Sequence, residues 1–279
     1  MKKTVIAAAV AASALLCHAQ ENTTLRFSYE HLDFDGSVKK DKGDRFGIQI
    51  DHQYDRHLFQ AAYEKTDTQT FKPPLKQNLH VNKYYLKYTY ALDEKQAWHI
   101  SYATIDDNLM KETDGGHIFG AGYCYGSWDL TQYLSDYKHF NVYQTDLKYT
   151  YKKTFGAWKT ATTLIGKYIH LQDRKSNPFS QNAKENYFTP GVKLHAHYGA
   201  YHMGAGAFFG KRIFGVMQNG FKVQHHAMEF EQTYMAGIGR HFGATDVTLR
   251  YVYQKATEVP VHNDDVKVDN LVLQLRYRF

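Results

Sequence analysis

Histidine carries the most chemical reach in this chain. The dipeptide Gly199-Ala200 lies between Tyr198 and Tyr201, so a hairpin turning there sets His197 opposite His202, with His195 two positions along the same face. Directly opposed residues have Cβ atoms about 4.5–5.5 Å apart, and three clustered imidazoles suit zinc, copper or nickel. The plainer reading of the three is polar lining in a chain with 16 His. That reading is the one favoured, and no cofactor is expected. The other chemistry is charge. Arg26, Glu30, Asp51, Glu64, Lys83, Lys87, Asp146, Lys148, Lys167, Lys193, Arg250 and Arg276 all take the parity opposite to the apolar and aromatic residues of their segments. Charges arranged this way bias which ions pass and make or break no bond, so an enzyme is not expected.

These residues need alternating elements to position them. Segments near 23–34, 45–54, 58–67, 81–92, 97–106, 117–126, 128–136, 140–153, 158–172, 187–198, 201–214, 229–242, 246–257 and 270–279 read as strands. In 81–92, Tyr84, Leu86, Tyr88 and Tyr90 share one face while Lys83 and Lys87 share the other. In 140–153, Tyr143, Leu147, Tyr149 and Tyr151 oppose Asp146 and Lys148. An Arg or Lys facing lipid at the bilayer midplane costs about 2–4 kcal/mol, so the charged face must be the inner one. The reading predicts water or paired charges inside, not an apolar core.

The last strand carries a resemblance. Phe279, Tyr277, Leu275, Leu273 and Leu271 share one parity, and Arg278, Arg276 and Gln274 the other. A terminal Phe behind an alternating apolar strand resembles the outer-membrane barrels of Gram-negative bacteria. In that family such a segment (here Leu273, Leu275, Tyr277 and Phe279) looks like the tag read by the barrel-assembly machinery. Strand number and size are similar to the monomeric, 14-stranded porin G type. The implied fold is all-β: a transmembrane antiparallel up-and-down barrel of about 14 strands, with about 12 as the alternative count.

Other features agree. Met1-Lys2-Lys3, the apolar run Val5 to Leu16 and Cys17-His18-Ala19 read as a cleaved secretory signal over 1–19, leaving one barrel domain over 20–279. Aromatics make up 15% of the chain, with 23 Tyr and 17 Phe, while mean hydropathy is −0.57. That combination suits strands with one face in lipid and one in water. Without Lys2 and Lys3, the 34 basic residues fall to a small excess over the 28 acidic ones. Neither that balance nor secretion suggests nucleic acid. With Cys17 removed, Cys124 has no partner for a disulfide.

Connections alternate in length. Short ones fall at 55–57, 93–96, 126–127, 154–157, 199–200 and 243–245; long ones at 35–44, 69–80, 107–116, 173–186, 215–228 and 258–269. In outer-membrane barrels, tight turns are periplasmic and long loops extracellular. Trp98, Trp128 and Trp158 each open a strand just after a short turn, as an interfacial belt requires. Inward Gly120, Gly122, Gly204, Gly206, Gly237 and Gly239 thin the lining. The expected function is an outer-membrane channel for passive diffusion of small hydrophilic solutes, with a mild anion preference from inward Lys and Arg. The alternative is a non-conducting surface barrel, an adhesin or structural protein, acting through loop residues such as Phe71, Phe179 and Phe221. Outer-membrane lipid, the assembly machinery and small solutes are the expected partners. Asp33, Asp35, His262 and Asp264 only approximate a protease set.

Overall fold

The structure is a computed structural model that describes residues 23–173, 175 and 181–279. The expected signal segment 1–19 and Phe179 lie outside these residues. The strands in the first half are β1 (Thr23–Asp35), β2 (Lys40–Tyr54), β3 (His57–Thr70), β4 (Leu79–Ala91), β5 (Gln96–Asp107), β6 (His117–Tyr125) and β7 (Trp128–Tyr137). They continue with β8 (Phe140–Phe155), β9 (Trp158–Gln172), β10 (Asn186–Tyr198) and β11 (Tyr201–Phe208). Two short strands follow, β12 (Val216–Met217) and β13 (Lys222–Val223), and then β14 (Met228–Phe242), β15 (Thr245–Glu258) and β16 (Asn263–Arg278).

All but β12 and β13 close into one barrel of 14 antiparallel strands, with β1 paired to β16 and β11 to β14. Closure pairs every edge, which a wall surrounded by hydrocarbon requires. The tight turns lie together at one end. Gly126, Gly156, Gly199 and Gly243 open four of them at φ of 58°, 54°, 55° and 62°, a backbone that glycine adopts without steric cost. The outer wall at mid-height is apolar: Phe27, Ile48, Leu86, Ile100, Leu164 and Leu249 are all exposed. Leu273, Leu275, Tyr277 and Phe279 share that outward face. The Phe279 amide closes the seam by donating to the Thr23 carbonyl at 3.0 Å.

Toward the other end the alternation inverts. Outward positions become polar, as at His31, Asp33, His80, Asp136, Asn186 and Lys267. Inward ones become apolar, as at Leu32, Val81, Ile105, Val142, Leu171 and Val268. Outward tyrosine hydroxyls mark the change of solvent: Tyr29 donates to Asp44 at 2.6 Å, Tyr63 to Asn82 and Tyr168 to Asn186 at 2.7 Å. Rings on the apolar side and hydroxyls on the wet side are the arrangement an interface selects.

Three expectations are corrected here. The long loop expected over 258–269 is instead a continuation of the β15–β16 hairpin, turning at Val259–Val261. Its strand pattern is inverted, polar outside and apolar inside, because water replaces lipid there. Strand β11 ends at Phe208, not near 214. At Gly210 (φ 80°) a Cβ would press the Phe188 carbonyl at 2.6 Å, and the chain leaves the wall. The inside is also not purely polar: a large cluster of buried apolar side chains fills part of it.

Candidate channel lumen

Residues 209–227, expected as the end of a strand to 214 and an extracellular loop from 215, fold into the barrel as a strut. A short hairpin of two paired positions (β12 with β13) and a 3-10 turn at Gln218–Gly220 form its tip. Its apolar side chains Ile213, Phe214, Val216, Val223 and Ala227 join Tyr85, Ile105, Tyr137, Phe140, Val142, Ile169 and others from the β4–β10 wall. The Phe214 ring lies 4.8 Å from Phe140 and 6.0 Å from Tyr137, and Phe221 lies 6.2 Å from Tyr85. The strut thus covers apolar wall that would otherwise face water.

Polar side chains of the wall hold the strut by its backbone. Lys83 Nζ donates to the Val223 carbonyl at 3.3 Å, Lys87 Nζ to Asn219 at 3.3 Å and Lys167 Nζ to Val216 at 3.1 Å. Gln144 both donates to the Val216 carbonyl (2.7 Å) and accepts from its amide (2.8 Å). Lys83 also pairs with Glu64 at 2.9 Å, and Lys167 with Asp146. The strut's own Lys222 reaches Glu30 at 3.1 Å, and Arg45 bridges Glu30 (2.7 Å) and Glu64 (3.4 Å). Burial pushes the Lys222 ammonium down from its ordinary range, and Glu30 opposes that shift.

On the opposite side the lumen stays open. A cavity of about 680 Å³ occupies the tight-turn half, lined by Arg26, Gln49, His195, Asp246, Gln274 and Arg276 among others. A smaller chamber of about 160 Å³ lies beyond it, beneath Leu32, Phe34, Phe208, Phe230 and Val268. The two share Glu30, Arg45, Lys193, Lys222 and Arg250 in their linings, a charged waist.

Chains of known structure share this architecture. Omp33 of Acinetobacter baumannii is similar at TM-score 0.51 and 10% identity, covering 93% of this chain and 99% of that one. A FadL homologue of Pseudomonas aeruginosa matches at TM-score 0.57 and 7% identity, covering 93% and 91%. The Ralstonia pickettii toluene transporter TbuX matches at 0.51 and 8%, covering 94% and 90%. No protein-family model matches the chain, and no curated protein matches it either. The fold is that of Gram-negative outer-membrane barrels. At such identities the likeness speaks for the fold alone.

Within that barrel, the sequence-selected charges divide into two groups. Paired ones include Arg26 with Asp51 (3.5 Å), Lys148 with Asp129 (3.2 Å) and Arg276 with Asp246 (3.6 Å), besides the strut contacts of Glu30, Glu64, Lys83, Asp146 and Lys167. Lys87 meets the Asn219 carbonyl and forms no ion pair among the described residues. Lys193 and Arg250 have no ion-pair partner among the described residues. Lys193 stands 5.7 Å over the Phe208 ring, and Arg250 leaves its Nε unpaired. Arg45, Arg212 and Lys222 belong to the lumen too. Arg45 shares parity with Gln49 and Asp51 and was legible; Arg212 and Lys222 lie where no periodicity guides the eye.

The expected trio does gather, with the His202 ring centre 5.8 Å from His195 and 5.6 Å from His197, and His241 joins it at 5.0 Å from His202. His195 and His197 contact each other through Nε2 at 2.7 Å. His202 Nε2 instead meets Asp246 at 2.8 Å, and His241 Nδ1 meets the same oxygen at 2.7 Å. Among the described residues, His202, His241 and Asp246 bring ligand atoms close enough for one metal ion, as do Asp107, His225 and His226. Gly239 makes the first set possible, because a Cβ there would strike the His202 imidazole. His241 and Asp246 flank the Gly243 turn as His197 and His202 flank Gly199, so the same hairpin logic finds them. Of the residues closest to a protease set, His262 contacts Asn182 at 3.1 Å, and no ion pair joins it to Asp264 among the described residues.

Proposed function

We propose that this protein is an outer-membrane channel for small solutes, with residues 209–227 as its constriction. The observation that carries this reading is the strut itself. It fills one side of the lumen and leaves two adjoining cavities, of about 160 and 680 Å³, along the other. Solute passes the waist between Glu30, Arg45, Lys193, Lys222 and Arg250, where unpaired Lys193 and Arg250 favour anions. The location follows from the outward apolar band and the tyrosine ring, which fit the outer membrane, with tight turns in the periplasm.

Purified protein in a planar bilayer tests the reading. Stable single-channel steps with anions passing more readily than cations are expected. Silence over the accessible voltage range would count against a channel. It would favour a second reading supported by the packed apolar cluster: a closed barrel acting through its extracellular face.

A further inference from the structure

We propose that the 160 Å³ chamber above the waist binds a compact organic anion, a monocarboxylate with an apolar body about the size of one six-membered ring, through Arg212, Arg250 and Lys193. The proposal rests on the channel reading only for how the anion arrives.

Arg212 is the decisive residue. It sits on the strut, fully buried, with its guanidinium carbon 5.6 Å from the Phe208 ring centre and 5.5 Å from that of Phe230. Its Nη2 donates to the Thr233 hydroxyl, whereas Nε and Nη1 have no partner. No carboxylate pairs with it among the described residues, and burial alone pushes its ordinary value down to about 9. A guanidinium held in an apolar setting without a counter-charge is costly, and two idle nitrogens add to that cost. A ligand carboxylate would answer both deficits with charge-assisted hydrogen bonds.

The rest of the chamber points the same way. Its lining includes the cations Lys40, Arg45, Lys193, Arg212, Lys222 and Arg250, against the single carboxylate of Glu30. Arg45 and Lys222 already hold Glu30, and Lys40 bonds His226 Nδ1 at 2.7 Å. Three cations therefore remain for a guest: Arg212, Arg250 with its idle Nε, and Lys193. Leu32, Phe34, Met228, Phe230, Val252 and Val268 supply apolar walls. An inorganic anion would leave those walls without contacts, while a neutral apolar guest would leave the cations unanswered. A cavity of about 150 Å³ suffices for benzene, which sets the size of the apolar body.

Calorimetry on tag-free protein refolded in detergent tests the site, with benzoate, benzyl alcohol and inorganic phosphate as probes. Benzoate should bind with one-to-one stoichiometry, about tenfold or more tightly than either other probe. Arg212→Gln and Arg250→Gln should each weaken benzoate about tenfold or more, while Lys95→Gln in a distant turn changes nothing. If Arg212→Gln displaces the strut, as near-ultraviolet dichroism would reveal, Arg250→Gln and Lys193→Gln on the wall carry the test. No benzoate heat up to about 10 mM overturns the site. So do benzyl alcohol or phosphate binding as tightly as benzoate, or affinity indifferent to both wall variants. Absent benzoate binding with conductance intact would remove this site and spare the channel; benzoate binding in a silent barrel would do the reverse.

Discussion

The two sides of the lumen are built from the same alternating strands yet hold their charges in opposite ways. Along β4–β10, Lys83, Lys87 and Lys167 are engaged with carboxylates or the strut's carbonyls, over a packed apolar cluster. Along β10–β15, facing the cavities, Lys193 and Arg250 form no ion pair among the described residues. A lumenal lysine is therefore not equivalent to a pore charge. On one side it fastens the strut; on the other it lines the open cavities.

Removing the constriction should erase that contrast most completely. Replacing 213–223 by a Gly-Ser linker is expected to raise single-channel conductance about threefold or more, because a 14-stranded wall encloses far more space than the waist leaves. Unchanged conductance would mean the strut does not limit flow. Charge reversal comes next. Lys193→Glu with Arg250→Glu should move the reversal potential in a salt gradient toward cations. Lys83→Glu with Lys87→Glu should mainly loosen the strut and make the current noisier. Equal shifts from both pairs would dissolve the distinction between the two sides.

Acid should act on the strut with smaller effect. His225 and His226 lie buried near Asp107; burial first, then His226, Lys83 and Lys40 for His225 and Lys40 and Lys83 for His226, hold both imidazoles well below their ordinary value. Such depressed groups support the fold fully above the unfolded value of about 6.5 and lose that support as pH falls below it. Conductance should accordingly rise as pH falls from about 6.5 to about 5, and His225→Gln with His226→Gln should flatten the profile. A rise that persists in the double variant would place the effect elsewhere. The smallest expected signal is local. Zinc added to labelled protein should shift imidazole resonances of His202 and His241 at the tight-turn mouth more than those of His195 or His197. The reverse order would favour the trio suggested by the hairpin alone.

The barrel was legible because lipid imposes a strict rule on every second side chain. Phe46, Ile48, Leu86, Leu147 and Leu249 obey it, and so the strands and their register follow. Where the outer solvent changes to water the rule reverses, and Asn263–Asp269 was read as loop for lack of its apolar outward face. The strut was invisible for a different reason. Its placement depends on contacts such as Lys83 with Val223 and Lys222 with Glu30, between positions 140 and 192 residues apart. No local spacing reports those pairings, whereas His241 and Asp246 were within reach of the argument already applied to His197 and His202.

The pairing of Lys222 with Glu30 has an electrical consequence. In a conduit of uneven width, most of an applied potential falls across the narrowest stretch, here the waist that both residues line. A unit charge crossing the whole field gains or loses about 2.3 kcal/mol per 100 mV. Lys222 rides on the strut while Glu30 is fixed in β1, so reversing polarity pulls the strut toward or away from its anchor. On the channel reading, width and polarity are thereby coupled, and the current is expected to rectify.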